Sequence, residues 1–304
     1  MLKSLLRDRK LIILLALAVL IRLFAFFPSL VERYYTYGIY PAVSSVQRIV
    51  LGWIPFSIGD LLYLAAGVYL LVTLIRLTRS LVRREGRAWF SRSVLRRVVM
   101  LVLLVYVIFN LSWGLNYNRQ GISPQLGLSV DSTAAREDLF RLTQELVTQL
   151  NEAAGRVEDR RMAQMGDHKV LYRHGIAVYG KAAGRYPFLR YRYPSLKSSL
   201  FSQVGHYFGF TGYYNPFSGE AQLKTSMPVF LKPFVLLHEM AHQVGYAKEN
   251  EANFVAFLAA SEADDPEFSY SVLFEMSLYA LRDVQRIDST LAKNMRAQWH
   301  PRVR

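Results

Sequence analysis

Residues 11–27 (LIILLALAVLIRLFAFF), about 58–77 (IGDLLYLAAGVYLLVTLIRL) and about 98–115 (VVMLVLLVYVIFNLSWGL) form three apolar runs near the start of a 304-residue chain. An α-helix needs roughly 20 apolar residues to cross a hydrocarbon core of about 30 Å, and each run comes close to that length. A single run of this kind can be the buried helix of a soluble domain. Three in succession predict three transmembrane helices. The first run is long for a signal peptide, and no small-residue cleavage site follows Phe26-Phe27-Pro28, so an uncleaved span is expected.

A formal net charge of +14 raises the question of a nucleic-acid partner. Residues 1–114 carry 15 Lys/Arg against 4 Asp/Glu, whereas residues 115–304 carry 22 against 19. The basicity therefore sits beside the apolar runs, which excludes a nucleic-acid partner and predicts a lipid bilayer. Lys3, Arg7, Arg9 and Lys10 precede the first run. Arg79, Arg83, Arg84, Arg87, Arg92, Arg96 and Arg97, with only Glu85 against them, separate the second from the third. Between the first two runs stand only Arg33 and Arg48, with Glu32. Positive loops stay in the cytoplasm, so the N-terminus is expected inside and everything after residue 115 outside. The 28–57 connection holds Tyr34, Tyr35, Tyr37 and Tyr40, then Val43, Val46, Ile49 and Val50 at near-helical spacing. An interfacial amphipathic helix is expected there. With no cysteine in the chain, disulfides, Cys-based zinc sites and thiol catalysis are all excluded.

These features divide the chain into a membrane domain over 1–115, an extended linker over 116–131 with Gly121, Pro124 and Gly127, and an outer domain over 132–304. Asp131 or Ser132 is expected to cap a helix running to about 154, with Leu139, Leu142, Leu146, Val147 and Leu150 on one stripe. Further helices are expected over about 170–183, 232–243, 248–260 and 267–295. The Tyr-, Phe-, Gly- and Ser-rich stretch 188–231 suggests short strands and loops, with 221–225 a strand. The expected fold is mainly α: three N-terminal transmembrane helices, then an α+β domain.

Within 232–243 lies His238-Glu239-Met240-Ala241-His242, an HExxH pattern. Residues four apart share a helical face, so both imidazoles can reach one zinc ion, with Glu239 beside them as general base for a water. By this chain's composition a chance match is expected roughly five times in a thousand. Pro233 suits the start of the helix and Gly245 its end. A catalytic zinc needs a third protein ligand, and the next segment offers Glu249 and Glu251. Steps of three or four from Glu249 reach Ala252, Asn253, Ala256 and Ala260, a small face on which Asn253 can orient a ligand imidazole. From Glu251 they reach Phe254, Val255 and Leu258, a bulky face. Glu249 is therefore the expected ligand, and Glu251 the alternative.

The sequence HExxH–G–ExxAN–F resembles the zincin metallopeptidases, specifically those whose third ligand is a glutamate on a second helix. In many of these an Asp or Asn four residues beyond that glutamate orients a ligand histidine, and Glu249 and Asn253 match the pair. Only six residues separate His242 from Glu249, a shorter excursion than the best-known glutamate zincins use. Gly245 matches the glycine of the metzincin pattern, but Lys248 stands where that pattern has its third histidine. More closely, the whole chain resembles an uncharacterised family of bacterial membrane proteins that pair three N-terminal spans with an outer HExxH domain. The residues carrying this are Trp113-Gly114-Leu115-Asn116-Tyr117, Gly212-Tyr213-Tyr214-Asn215-Pro216-Phe217-Ser218-Gly219-Glu220-Ala221, and the HEMAHQVGYAKENEANF core. The resemblance implies a zincin-like zinc peptidase of the bacterial inner membrane, acting on a peptide or protein.

Two readings of function remain. One is a membrane metallopeptidase in which His238, His242 and Glu249 bind Zn2+ and Glu239 activates water. The other is a non-catalytic membrane protein that uses the zinc site for structure, sensing or partner binding. The residues give no indication of oligomeric state. His206, Tyr213 and Tyr214 are candidate oxyanion donors, though an aromatic packed loop is the preferred reading of them, and 220–226 is a candidate edge strand for a peptide substrate. His168, His174 and His300 are read as ordinary polar residues.

Overall fold

The computed structural model describes residues 8–83, 91–128 and 135–303. Lys3, Arg7, Arg84, Glu85 and Arg87 of the charge argument, and the expected cap at Asp131 or Ser132, lie outside the described residues. The chain is mainly helical and divides into two units, one of residues 1–120 with 215–220, the other of residues 121–214 with 221–304.

In the first unit the Asp8 carboxylate accepts from the backbone N–H groups of Lys10 and Leu11 and opens helix α1, Arg9–Ala25. At 17 residues α1 is about 26 Å long. It ends where Pro28, lacking an N–H, pushes Phe27 out of helical backbone (φ −116°, ψ 81°). The chain bends there by 101° into Pro28–Leu51. That segment runs through a π-helical stretch, Val31–Ile39, into α2, Tyr40–Leu51. Helices α3, Ile58–Val82, and α4, Arg92–Ser112, come next. Both α3 and α4 are long and apolar enough to cross a membrane, and α1 adds a third span only if it counts together with its bent continuation.

The amphipathic segment expected over 28–57 is helical, and its apolar residues point outward. Val46, Ile49 and Val50 are exposed, while Tyr35, Tyr40, Ser44 and Arg48 are buried. Only 11% of the most apolar window of α3, and the same share of α4, is buried. The interior mixes apolar residues such as Ile21, Val31, Val107, Trp113 and Leu115 with paired polar groups. Arg119 grips Glu32 through two bonds, Nε to Oε2 at 3.0 Å and Nη2 to Oε1 at 2.7 Å, and the Thr36 hydroxyl donates to Asn116 at 3.1 Å. Apolar surface outside and paired charge inside is what a hydrocarbon solvent selects, because lipid cannot solvate a polar group.

Residues 215–220 complete this unit. The Asn215 side chain accepts from the N–H groups of Phe217 and Ser218, making a tight polar turn. Beyond it, the Glu220 carboxylate accepts from Ser57 Oγ (2.9 Å), Ile58 N (3.1 Å) and Gly59 N (2.8 Å). Those N–H groups open α3 and have no partner within the helix, so a carboxylate there also meets the positive end of the helix dipole. A Cβ on Gly59 would sit 2.5 Å from Asn215 Nδ2, so only glycine admits the turn at this distance. Along and just before the expected 116–131 linker, 3-10 turns occupy Gly114–Asn118 and Pro124–Leu126, and Asn116, Arg119 and Ile122 are buried; residues 129–131 lie outside the described residues.

The second unit holds α5 (Arg136–Arg156), α6 (His168–Arg185), α7 (Lys232–Gln243), α8 (Glu249–Ser261), α9 (Pro266–Ile287) and α10 (Ser289–Ala297). On the α5 stripe Leu146, Val147 and Leu150 are buried, while Leu142 is exposed. They meet Leu281 and Val284 of α9 and Met295 of α10 in one apolar cluster. The single long helix expected over 267–295 is two. Asp288 takes extended backbone (φ −145°) and its carboxylate accepts from Leu291 N at 2.8 Å, ending one helix and capping the next. A second cluster joins α6, α7 and α8 through Leu171, Tyr179, Leu236, Leu237, Met240, Val255 and Ala256. The sheet has the order β1-β3-β2, with β1 Leu196–Ser198, β2 Gly212–Asn215 and β3 Glu220–Leu223. Strands β1 and β3 run parallel, Lys197 opposite Gln222. Strand β3 is thus central, and the expectation that 220–226 forms an edge is corrected: its two flanks are already occupied.

Candidate metal centre

Helix α7 owes its position to its buried side. Val235, Leu236, Leu237 and Met240 face the core, each burial contributing about 1.5–3 kcal/mol. Tyr179 of α6 donates its hydroxyl to the Leu237 carbonyl at 2.9 Å. At the start of α7, the N–H of Phe234 finds the Ser271 hydroxyl of α9 at 3.0 Å. A helix fixed from several sides presents His238 and His242, one turn apart, to a common space.

The reversal of the chain at the end of α7 orients the second histidine. Gly245, at φ +97°, takes the left-handed backbone that ends the helix. Its N–H returns to the His242 carbonyl and that of Tyr246 to Ala241. The Tyr246 carbonyl is thereby aimed at His242, whose Nδ1 donates to it at 2.7 Å. Helix α8 begins four residues after Gly245 and brings Glu249 to the histidines. Its Oε2 lies 3.1 Å from His238 Nε2 and its Oε1 3.7 Å from His242 Nε2. One turn along α8, the Asn253 amide oxygen accepts from His238 Nδ1 at 2.7 Å.

Both Nδ1 atoms are thus committed to oxygen acceptors, which turns the two Nε2 atoms inward, 3.1 Å apart. Burial pulls His238 down, but its hydrogen bond to Glu249 and the Glu239 charge outweigh that and raise it above the usual imidazole range, so a proton sits where a cation could take its place. One ligand atom from each of His238, His242 and Glu249 falls within 4.8 Å of the others. Ligands about 2.0–2.1 Å from a tetrahedral ion lie about 3.3–3.4 Å apart, so this set fits zinc. Burial, and then the neighbouring His238, push His242 down to about 4, keeping it neutral as a ligand must be. Glu249 is held below the usual carboxylate range, first by its hydrogen bond with His238.

Glu239 is buried, and burial pushes it up to about 8. A Cβ on Gly212 of β2 would sit 2.7 Å from its Oε1, and among the described residues its Oε2 has no hydrogen-bond partner. Glu251 goes elsewhere: its side chain packs against Gly121 and pairs with Lys248 at 3.5 Å.

A family model described as "Protein of unknown function (DUF3810)" matches residues 35–304. The chain belongs to this family. The match starts after α1 and takes in α2 to α4 and the whole of the second unit. No curated protein and no solved structure matches the chain. The matched span includes three groups at or beside the candidate metal centre that reasoning from residue types had missed. One is the Tyr246 carbonyl, invisible in a sequence because every residue has a carbonyl. The others are Gln243 and Tyr191. The buried Gln243 amide donates to Ser195 O at 3.0 Å and accepts from the Tyr191 hydroxyl, anchoring the residue after His242 beside the sheet. Of the proposed oxyanion donors, Tyr213 shares a hydrogen bond with Ser199, His206 faces Lys224, and Tyr214 is buried. His174 pairs with Asp265, His168 packs on Tyr172, and His300 Nδ1 accepts from Arg302 N.

Proposed function

We propose that this chain is an integral membrane zinc metallopeptidase whose outer domain hydrolyses peptide bonds. The observation that carries the reading is the convergence of His238, His242 and Glu249 on one point, with Glu239 buried beside them. His238, His242 and Glu249 would hold the ion, with Asn253 and the Tyr246 carbonyl fixing the ring orientations. Bound there, zinc would supply Lewis acidity, polarising a substrate carbonyl and easing deprotonation of a water.

The chain's own chemistry falls to Glu239. As a carboxylate it accepts a proton from the attacking water while the new C–O bond forms. It then delivers that proton to the departing amine nitrogen as the C–N bond breaks, so one water is consumed and Glu239 is regenerated. A three-ligand set leaves a position for water, whereas structural zinc sites are closed by four protein ligands.

The membrane part of the proposal rests on the apolar helices and the Lys/Arg bias: three spans, N-terminus in the cytoplasm, catalytic domain outside, in a bacterial inner membrane. Metal analysis of the purified chain, combined with a peptide-library cleavage assay, tests the function. One zinc per chain together with cleavage supports it. Zinc without cleavage transfers the site to the non-catalytic reading, and absence of zinc binding overturns both.

A further inference from the structure

The second unit carries an apolar surface that the metal centre does not use. Residues 200–208 coil in helical turns, with Gly205 N bonding Phe201 O and Gly209 N bonding Gly205 O. Leu200, Val204, Tyr207 and Phe208 stand at i, i+4, i+7 and i+8, the spacing of one helical face. All four are exposed, Tyr207 at 89% and Phe208 at 78%, while Ser202 and Gly205 on the other side are buried. The turn is amphipathic with its apolar face outward, the same inversion seen in α2.

Two further observations identify what covers that face. From Arg190 up to Glu220 the chain has Arg190, Arg192 and Lys197 and no acidic residue before Glu220; Arg190 and Arg192, just before β1, are exposed and Lys197 is buried. An apolar turn in a purely basic stretch complements anionic lipid headgroups and does not complement a basic surface of its own kind. Phe208 also lies seven residues before Asn215, which is part of the unit bearing the apolar helices. By chain length alone it is within about 25 Å of that residue. We infer that the 200–208 turn is an interfacial anchor that buries Tyr207 and Phe208 in the headgroup region of an anionic bilayer. This inference is independent of the metal centre.

Because the chain has no cysteine, a nitroxide can be placed at one site without background. Phe208→Cys and, separately, Leu200→Cys are labelled in the full chain and reconstituted into phosphatidylcholine–phosphatidylglycerol vesicles, with Arg286→Cys on α9 as reference. Both positions are exposed, so labelling removes no core contact. Collisions with oxygen and with a water-soluble nickel chelate give the depth. The expected result is a label about 5–10 Å below the lipid surface at both positions, against free aqueous access at 286. Access to the chelate at 208 and 200 equal to that at 286 overturns the inference. Shielding from both collision reagents also overturns it, since protein rather than lipid would then cover the turn.

Discussion

At the scale of single residues, the choice between Glu249 and Glu251 shows how much one helical face can decide. The two are two positions apart, yet Glu249 meets both imidazoles while Glu251 packs against Gly121. Glu249→Ala is expected to abolish stoichiometric zinc binding in a metal titration, and Glu251→Ala to leave it largely intact; the reverse pattern would reassign the ligand. Asn253→Ala should weaken zinc binding by about 10–100-fold without removing the site, the usual effect of losing a group that orients a ligand histidine. An unchanged zinc affinity would show that Asn253 does not set the ring. These side chains were legible because HExxH and the small Ala252–Ala256–Ala260 face are patterns of side-chain type. The Tyr246 carbonyl and the Gln243 anchor were not legible, since both depend on where the chain goes after Gly245.

At the scale of elements, the start of α3 depends on a turn more than 150 residues away in sequence. Glu220 serves three donors there, and Gly59 leaves the space for Asn215. Gly59→Ala should therefore cost about 1–3 kcal/mol by overpacking, read as a lower melting temperature in detergent. The matched control Gly67→Ala, mid-helix with nothing within 4 Å of its Cβ, should not destabilise the chain. Equal melting temperatures for both variants would contradict the close approach. The helix 232–243 was readable to within a residue because Pro233 and Gly245 bound it, and 248–260 because an unbroken run of helix-favouring residues, rich in Ala, follows that Gly. The break at Asp288 was hidden because both flanking segments keep helical periodicity, and only the cap geometry separates them. The centrality of β3 was equally hidden, since partner strands and their order are tertiary facts.

At the scale of the whole molecule, a unit with paired charge in its interior and lipid-suited helices accompanies a domain carrying a candidate zinc centre. The Lys/Arg bias predicts that a reporter fused after residue 304 reads as extracytoplasmic; cytoplasmic activity of that fusion would reverse the orientation. The central claim is that Glu239 does chemistry at a metal held by other residues. The most direct measurement is zinc content and peptide turnover of Glu239→Gln beside the wild type. The account predicts equal zinc and a turnover lower by about 10²–10⁴-fold, the range for losing a general acid–base. Equal zinc with undiminished turnover would contradict it.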